Sequence, residues 1–147
     1  MENRFDMQFI SDSKNEALAR AVVSAFIMEL DPTLDALSEI KTAVSEAVTN
    51  AIVHAYPDNK GIVSLSGKLF GNTVYITVED FGVGIADVNK AREPLFTGRP
   101  EEERSGLGFS IMESFSDDII VTSTLGEGTS VILKKIFPTL EGKVNNG

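Results

Sequence analysis

The chain has 147 residues, 42% hydrophobic and 24% charged, with a formal net charge of −9. That suffices for one domain with a proper core, and it is too apolar for a disordered chain. The charge argues against direct nucleic-acid binding, because a phosphate backbone needs a basic footprint, and the lack of cysteine rules out disulfides and thiolate metal sites. A nucleotide stays open, since a few phosphates can be held by backbone N–H groups and one or two cations. A protein partner drawn by charge would offer basic surface. The N-terminus MENRFDMQFISDSK carries no long apolar run, and no segment approaches the roughly 18 apolar residues of a membrane helix. A cytoplasmic protein without signal peptide or membrane span is therefore expected.

Phe5, Met7 and Phe9 alternate with Asp6 and Gln8, the period of a half-buried first strand. Ser13 and Glu16 have capping-box spacing and open a helix expected to reach about Leu30. Asp31-Pro32 stops it and starts the next, with Asp31 as N-cap and Pro32 at the first helical position. Leu37, Ile40, Val44, Ala47, Val48, Ala51, Ile52 and Ala55 then recur at helical spacing up to Tyr56, before Pro57. From Gly61 the period becomes two. Val63, Leu65 and Leu69 line one strand, Gly71-Asn72 turns the chain, and Val74, Ile76 and Val78 line its partner. Residues 81–108 are rich in glycine, proline and charge, with a short helical piece around Asp87 to Arg92. A helix follows over Phe109 to Phe115. A last hairpin joins Ile119–Thr124 to Thr129–Ile136. Antiparallel hairpins with helices between them predict an α+β fold, a two-layer sandwich with a mixed, largely antiparallel sheet. One domain is expected over 1–137, with a polar tail over 138–147.

Four short patterns carry possible chemistry. Glu46, Asn50 and His54 fall at i, i+4 and i+8 and form one polar stripe on the second helix. Helical geometry sets Glu46 nearly opposite the apolar row, where a solvated carboxylate is unremarkable. Yet Ala43 and Val53 share that supposedly wet side, and asparagine is mildly unfavourable inside a helix, so a pocket wall stays open as well. Asp80-Phe-Gly82-Val-Gly84 ends a strand. It serves either as a turn or as a base reader: an ionised carboxylate only accepts hydrogen bonds, which favours adenine's amine over guanine's carbonyl. Arg104-Ser-Gly106-Leu-Gly108 opens a helix with glycines, either a flexible linker or backbone N–H groups aimed at phosphate. Gly126-Glu-Gly128-Thr129 suits a hairpin turn. His54 is the only histidine, and a packing or surface role suits it better than metal ligation.

The order of these patterns resembles the GHKL ATP-binding superfamily over nearly the whole chain. SEAVTNAIVHAY and EPLFTGRPEEERSGLGFSIME are similar, more narrowly, to the anti-sigma serine kinases of Gram-positive bacteria, of the sporulation type. The resemblance implies that Asn50 holds Mg²⁺ bridging the phosphates of ATP or ADP, and that Glu46 is the general base. It implies Asp80 and Thr129 at the adenine, Gly82 and Gly84 shaping that side, and Gly106 and Gly108 beside the phosphates. A lid over 94–105 would bring Thr97 and Ser105 to the nucleotide. Arg104 could reach the terminal phosphate or pair with Glu101, Glu102 or Glu103. The resemblance further implies a homodimer that sequesters a sigma factor and phosphorylates a small anti-anti-sigma protein on serine, with Arg20 of the first helix as the partner contact. A stress-circuit kinase or a nucleotide-gated sigma-binding module is the alternative. Phe81 departs from the polar residue that many relatives carry there. Without a phospho-accepting histidine domain or a transducer domain, the histidine kinase, topoisomerase and chaperone branches are disfavoured.

Overall fold

Five strands form one sheet in the order β1-β2-β3-β5-β4, with helices packed on it. They are β1 (Glu2–Ile10), β2 (Ile62–Phe70), β3 (Thr73–Asp80), β4 (Asp118–Thr124) and β5 (Gly128–Ile136). All four ladders are antiparallel. The computed structural model describes residues 2–93 and 108–138. The lid expected over 94–105, with Thr97, Arg104 and Ser105, lies outside the described residues, as do Gly106 and the tail beyond Pro138.

The period-two reading of β2 and β3 translates directly into the core. Val63, Leu65, Leu69, Val74, Ile76 and Val78 are all buried on the helix-facing side, each such side chain contributing about 1.5–3 kcal/mol. The helices α1 (Asn15–Ile27) and α2 (Leu34–His54) lie on that side, packed on each other and on the sheet. They contribute Val23, Ile27, Ile40, Val44 and Val48 to the same cluster. Ala43, on the flank that helical geometry leaves wet, is fully buried, while Val53 is exposed. A helix gripped by both the sheet and a neighbouring helix buries a wider arc than one apolar stripe.

Both helix starts differ from expectation. Ser13 does not cap α1: the cap position is Lys14, without a side-chain hydrogen bond. Asp12 Oδ1 instead accepts from the Lys14 N–H at 3.0 Å. The Glu16 carboxylate, which would complete a capping box, is drawn to α2 and its own helix, taking the Ser45 hydroxyl and pairing with Arg20. Asp31 adopts a left-handed conformation (φ 48°) and closes a 3-10 turn, Met28–Leu30. Thr33 caps α2, its Oγ1 accepting from the Ala36 N–H at 3.1 Å. Proline disfavours the right-handed helical region for the residue before it, and aspartate tolerates the left-handed one. Pro32 thereby sits just ahead of the cap, two positions earlier relative to it than the sequence implies.

Between the hairpins, α3 (Val88–Arg92) starts at Asp87, whose Oδ1 accepts from the Lys90 N–H at 3.1 Å. A helical stretch over 108–114, here α4, buries Phe109 and Met112. Lys135 of β5 is only 8% exposed. Its ammonium bridges Glu39 of α2 at 2.8 Å and the Phe115 carbonyl at 3.0 Å, tying helices to sheet. Such a buried charge is tolerated because it is paired and hydrogen-bonded.

Candidate nucleotide site

Strand β3 ends at Asp80, directly opposite Thr129 of β5. Asp80 is 9% exposed. Its Oδ1 accepts from the N–H groups of Gly82 at 3.1 Å and Thr129 at 3.2 Å. Burial raises its pKa above the usual aspartate value, and these two backbone bonds partly counter the rise. Among the described residues no hydrogen bond ends on Oδ2, which is left as an acceptor for a ligand.

Asp80 and Thr129 line a cavity of about 410 Å³, together with Asn50, His54, Ile85, Lys90 and Phe109. Aliphatic and aromatic walls with a few convergent polar groups are what a nucleobase site requires. The turn after Asp80 is wedged between α2 and the last hairpin. The Val83 N–H donates to the Ala55 carbonyl at 2.9 Å, and the Gly126 N–H to the Val83 carbonyl at 2.9 Å. A Cβ on Gly82 would sit 2.0 Å from the Ala55 oxygen, so this approach of two backbones is open to glycine alone. Gly82 does not line the cavity; Gly84 does, with φ 77°.

The polar stripe of α2 divides along its length. Asn50 lines the cavity, and its Nδ2 is buried with no partner among the described residues. Glu46, one turn earlier, is half-buried rather than solvated, because α4 closes over it. A Cβ on Gly108 would lie 3.1 Å from Glu46 Oε2 and 3.5 Å from Asn50 Nδ2. Burial raises the Glu46 pKa, and the nearby Glu16 carboxylate raises it further. His54, expected in packing or at the surface, lines the cavity one turn beyond Asn50. The structure thus brings Glu46, Asn50 and Gly108 together at one end, and Asp80, Gly84 and Thr129 at the cavity.

Arg20 lines no part of this cavity. It pairs with Glu16 at 2.8 Å and lines a separate groove with Leu34, Leu37, Ser38 and Lys41. Phe81 is 58% exposed and does not line the cavity. Three participants escaped the sequence reading: Lys90, Ser123 and Tyr56. The Tyr56 hydroxyl accepts from the Phe81 N–H at 2.8 Å and donates to the Ile62 carbonyl at 2.6 Å, joining the end of α2 to the Asp80 turn. Only its place at the helix end, just before Pro57, hinted at such a role.

A strand-end acid facing a threonine across the ladder, with a helical Glu-x-x-x-Asn beside the same cavity, defines an ATPase-type site. Residues 9–135 match the family described as the histidine kinase-like ATPase domain. The chain is 55% identical over 138 residues to an anti-sigma F factor of Geobacillus stearothermophilus, covering 93% of this chain and 94% of that protein. It is 48% identical over 139 residues to an anti-sigma F factor of Clostridium kluyveri, covering 95% and 98%. The chain therefore belongs to the anti-sigma F factors of the histidine kinase-like ATPase family. The fold is shared with the RsbU and RsbW domains of a Mycobacterium tuberculosis protein, at TM-score 0.67 and 18% identity over 92% of this chain and 32% of that one. A blue-light activated histidine kinase of Erythrobacter litoralis aligns at TM-score 0.56 and 27% identity, over 78% of this chain and 34% of that one. Among the described residues no helix is long and apolar enough to cross a membrane.

Proposed function

We propose that the chain is an ATP-dependent protein serine kinase that also sequesters a sporulation sigma factor, and that its substrate is a small anti-anti-sigma protein. The observation that carries the kinase reading is the convergence of Glu46 and Asn50 on Gly108, next to a cavity whose far wall is Asp80. The adenine would enter that cavity with its amine on Asp80 Oδ2. The phosphates would then run along α2 toward α4, whose glycine-flanked start suits close backbone approach. Mg²⁺, when bound with the nucleotide, neutralises phosphate charge and aligns the terminal group. The residues fit it. Asn50 lines the cavity with its Nδ2 buried and unpartnered among the described residues, and its side-chain carbonyl oxygen is a hard ligand of the kind Mg²⁺ takes, alongside phosphate oxygens.

Glu46 accepts the proton of the substrate serine as that oxygen attacks the γ-phosphorus. The bond to the β-phosphate oxygen breaks, leaving phosphoserine and ADP. Arg104 is assigned to the developing charge, with Thr97 and Ser105 as further nucleotide contacts of the lid and Gly106 beside the phosphates. Arg20 is assigned to the protein partners. The groove beside it carries Lys41 and Leu34 at 83% exposure, a mixture of charged and apolar surface suited to a protein contact. A cytoplasmic homodimer completes the proposal.

Incubation with γ-labelled ATP and a small anti-anti-sigma protein tests it directly. Label on a serine of that protein is expected. ATP bound without transfer would overturn the kinase assignment and leave a nucleotide-gated sigma-binding module.

A further inference from the structure

Ser123, on β4, stands behind the wall of the cavity and lines no part of it. Its hydroxyl nonetheless makes three hydrogen bonds. It accepts from the Ile85 N–H at 2.7 Å, reaches the Gly128 carbonyl at 3.0 Å, and meets Thr129 Oγ1 at 2.8 Å. A serine hydroxyl has one proton and two lone pairs. The Gly128 carbonyl can only accept, so the proton of Ser123 goes there. The Ile85 N–H can only donate and occupies one lone pair. With all three bonds made together, the second lone pair is what remains for Thr129, and we assign Thr129 as the donor of that bond. Thr129's own proton is then spent on Ser123, and its oxygen, on a residue that lines the cavity, has only lone pairs left to offer. Across the β3–β5 ladder Asp80 offers Oδ2, equally restricted to accepting.

We propose that Ser123 is a positioning residue for purine selectivity. By fixing Thr129 as an acceptor, it sets two acceptors side by side at the base edge. The two hydrogens of a 6-amino purine satisfy such a pair, whereas a 6-oxo purine meets it oxygen against oxygen. The inference rests on the nucleotide reading above and adds a residue that touches neither base nor phosphate.

Calorimetric titration with ATP and with inosine triphosphate, which carries oxygen in place of the amine, tests it. The wild type should prefer ATP. In Ser123→Ala, Thr129 is free to rotate and donate, and the ATP preference should fall roughly five- to tenfold. Ser123→Thr, which restores a hydroxyl, should keep the preference. In a Thr129→Val background Ser123→Ala should change the ratio no further. Equal weakening of both nucleotides, or an unchanged ratio, would mean that Ser123 is structural and would overturn the proposal. If Ser123→Ala does not fold, Thr129→Val alone carries the test, and an undiminished preference overturns it. A wild type that takes both nucleotides equally would instead remove the adenine site, and the relay with it.

Discussion

Asp80→Asn separates recognition from folding. The Oδ1 of an asparagine can keep both backbone bonds, from Gly82 and Thr129, so the turn has no reason to open. What changes is the second atom, which becomes an amide donor facing the adenine amine. A hydrogen bond to a charged group contributes about 1.5–3 kcal/mol, so ATP affinity should fall roughly ten- to hundredfold. Stability should move the other way or not at all. Because burial raises the Asp80 pKa, the folded protein holds this proton more tightly than the unfolded chain. Stability therefore declines as pH rises from the ordinary aspartate range through the raised value, and at neutral pH the ionised group is a burden. Asparagine lifts it. Calorimetry with ATP and thermal denaturation at pH 7 read the two effects separately. Unchanged ATP affinity would refute the adenine assignment. Weakened binding together with a markedly lower Tm would show that the carboxylate is structural.

Glu46→Gln should leave ATP binding within a few fold and cut phosphotransfer by about 10²–10⁴; loss of both together would make Glu46 a packing residue. The transfer rate should lose its base on the acid side at a pH above the ordinary glutamate range, since burial and Glu16 both raise the Glu46 pKa, and an acid limb centred near 4.5 would contradict that environment. Tyr56→Phe removes the bonds to Phe81 and Ile62 and should cost about 1–3 kcal/mol by denaturant titration. An unchanged midpoint would show that the latch is dispensable.

The sheet was legible because a strand's faces follow from alternation alone: every inward residue expected of β2 and β3 is in the core. The turn at Asp80, Gly82 and Gly84 was legible for a related reason, since its residues sit in one contiguous run after a strand. Elsewhere the determining neighbour is remote in the chain. Glu46 looks solvated on an isolated helix, and only the approach of Gly108 encloses it. Ala43 needed two packing partners for α2. Ser123 acts through Ile85 and Thr129, and Tyr56 through Phe81 and Ile62. Such bonds leave no period to read. The capping error at Asp31 was of another kind, a local competition in which Pro32 displaced the cap by two residues, to Thr33.

Under the proposed function, the two acids of the site divide reading from reacting. Both are pushed toward the neutral form by burial, so burial alone does not decide their roles. Their partners do. Asp80 is held by two backbone N–H groups on one oxygen, which favour its ionised form and fix its direction. A carboxylate so held is a rigid acceptor and a poor base. Glu46 has no such donors among the described residues. The charged group that acts on it, Glu16, is negative and opposes ionisation, and Glu16's Oε1 already takes both Arg20 and Ser45. A carboxylate denied donors and set beside a like charge has raised proton affinity, which suits a group that must take a proton from serine. The divergence predicts that exchanging the environments, and not the residues, would exchange the roles. Removing Glu16's charge (Glu16→Gln) should lower the acid limb of the transfer rate while leaving the ATP-over-inosine preference untouched. A shift in that preference instead would show that the two ends of the site are not independent.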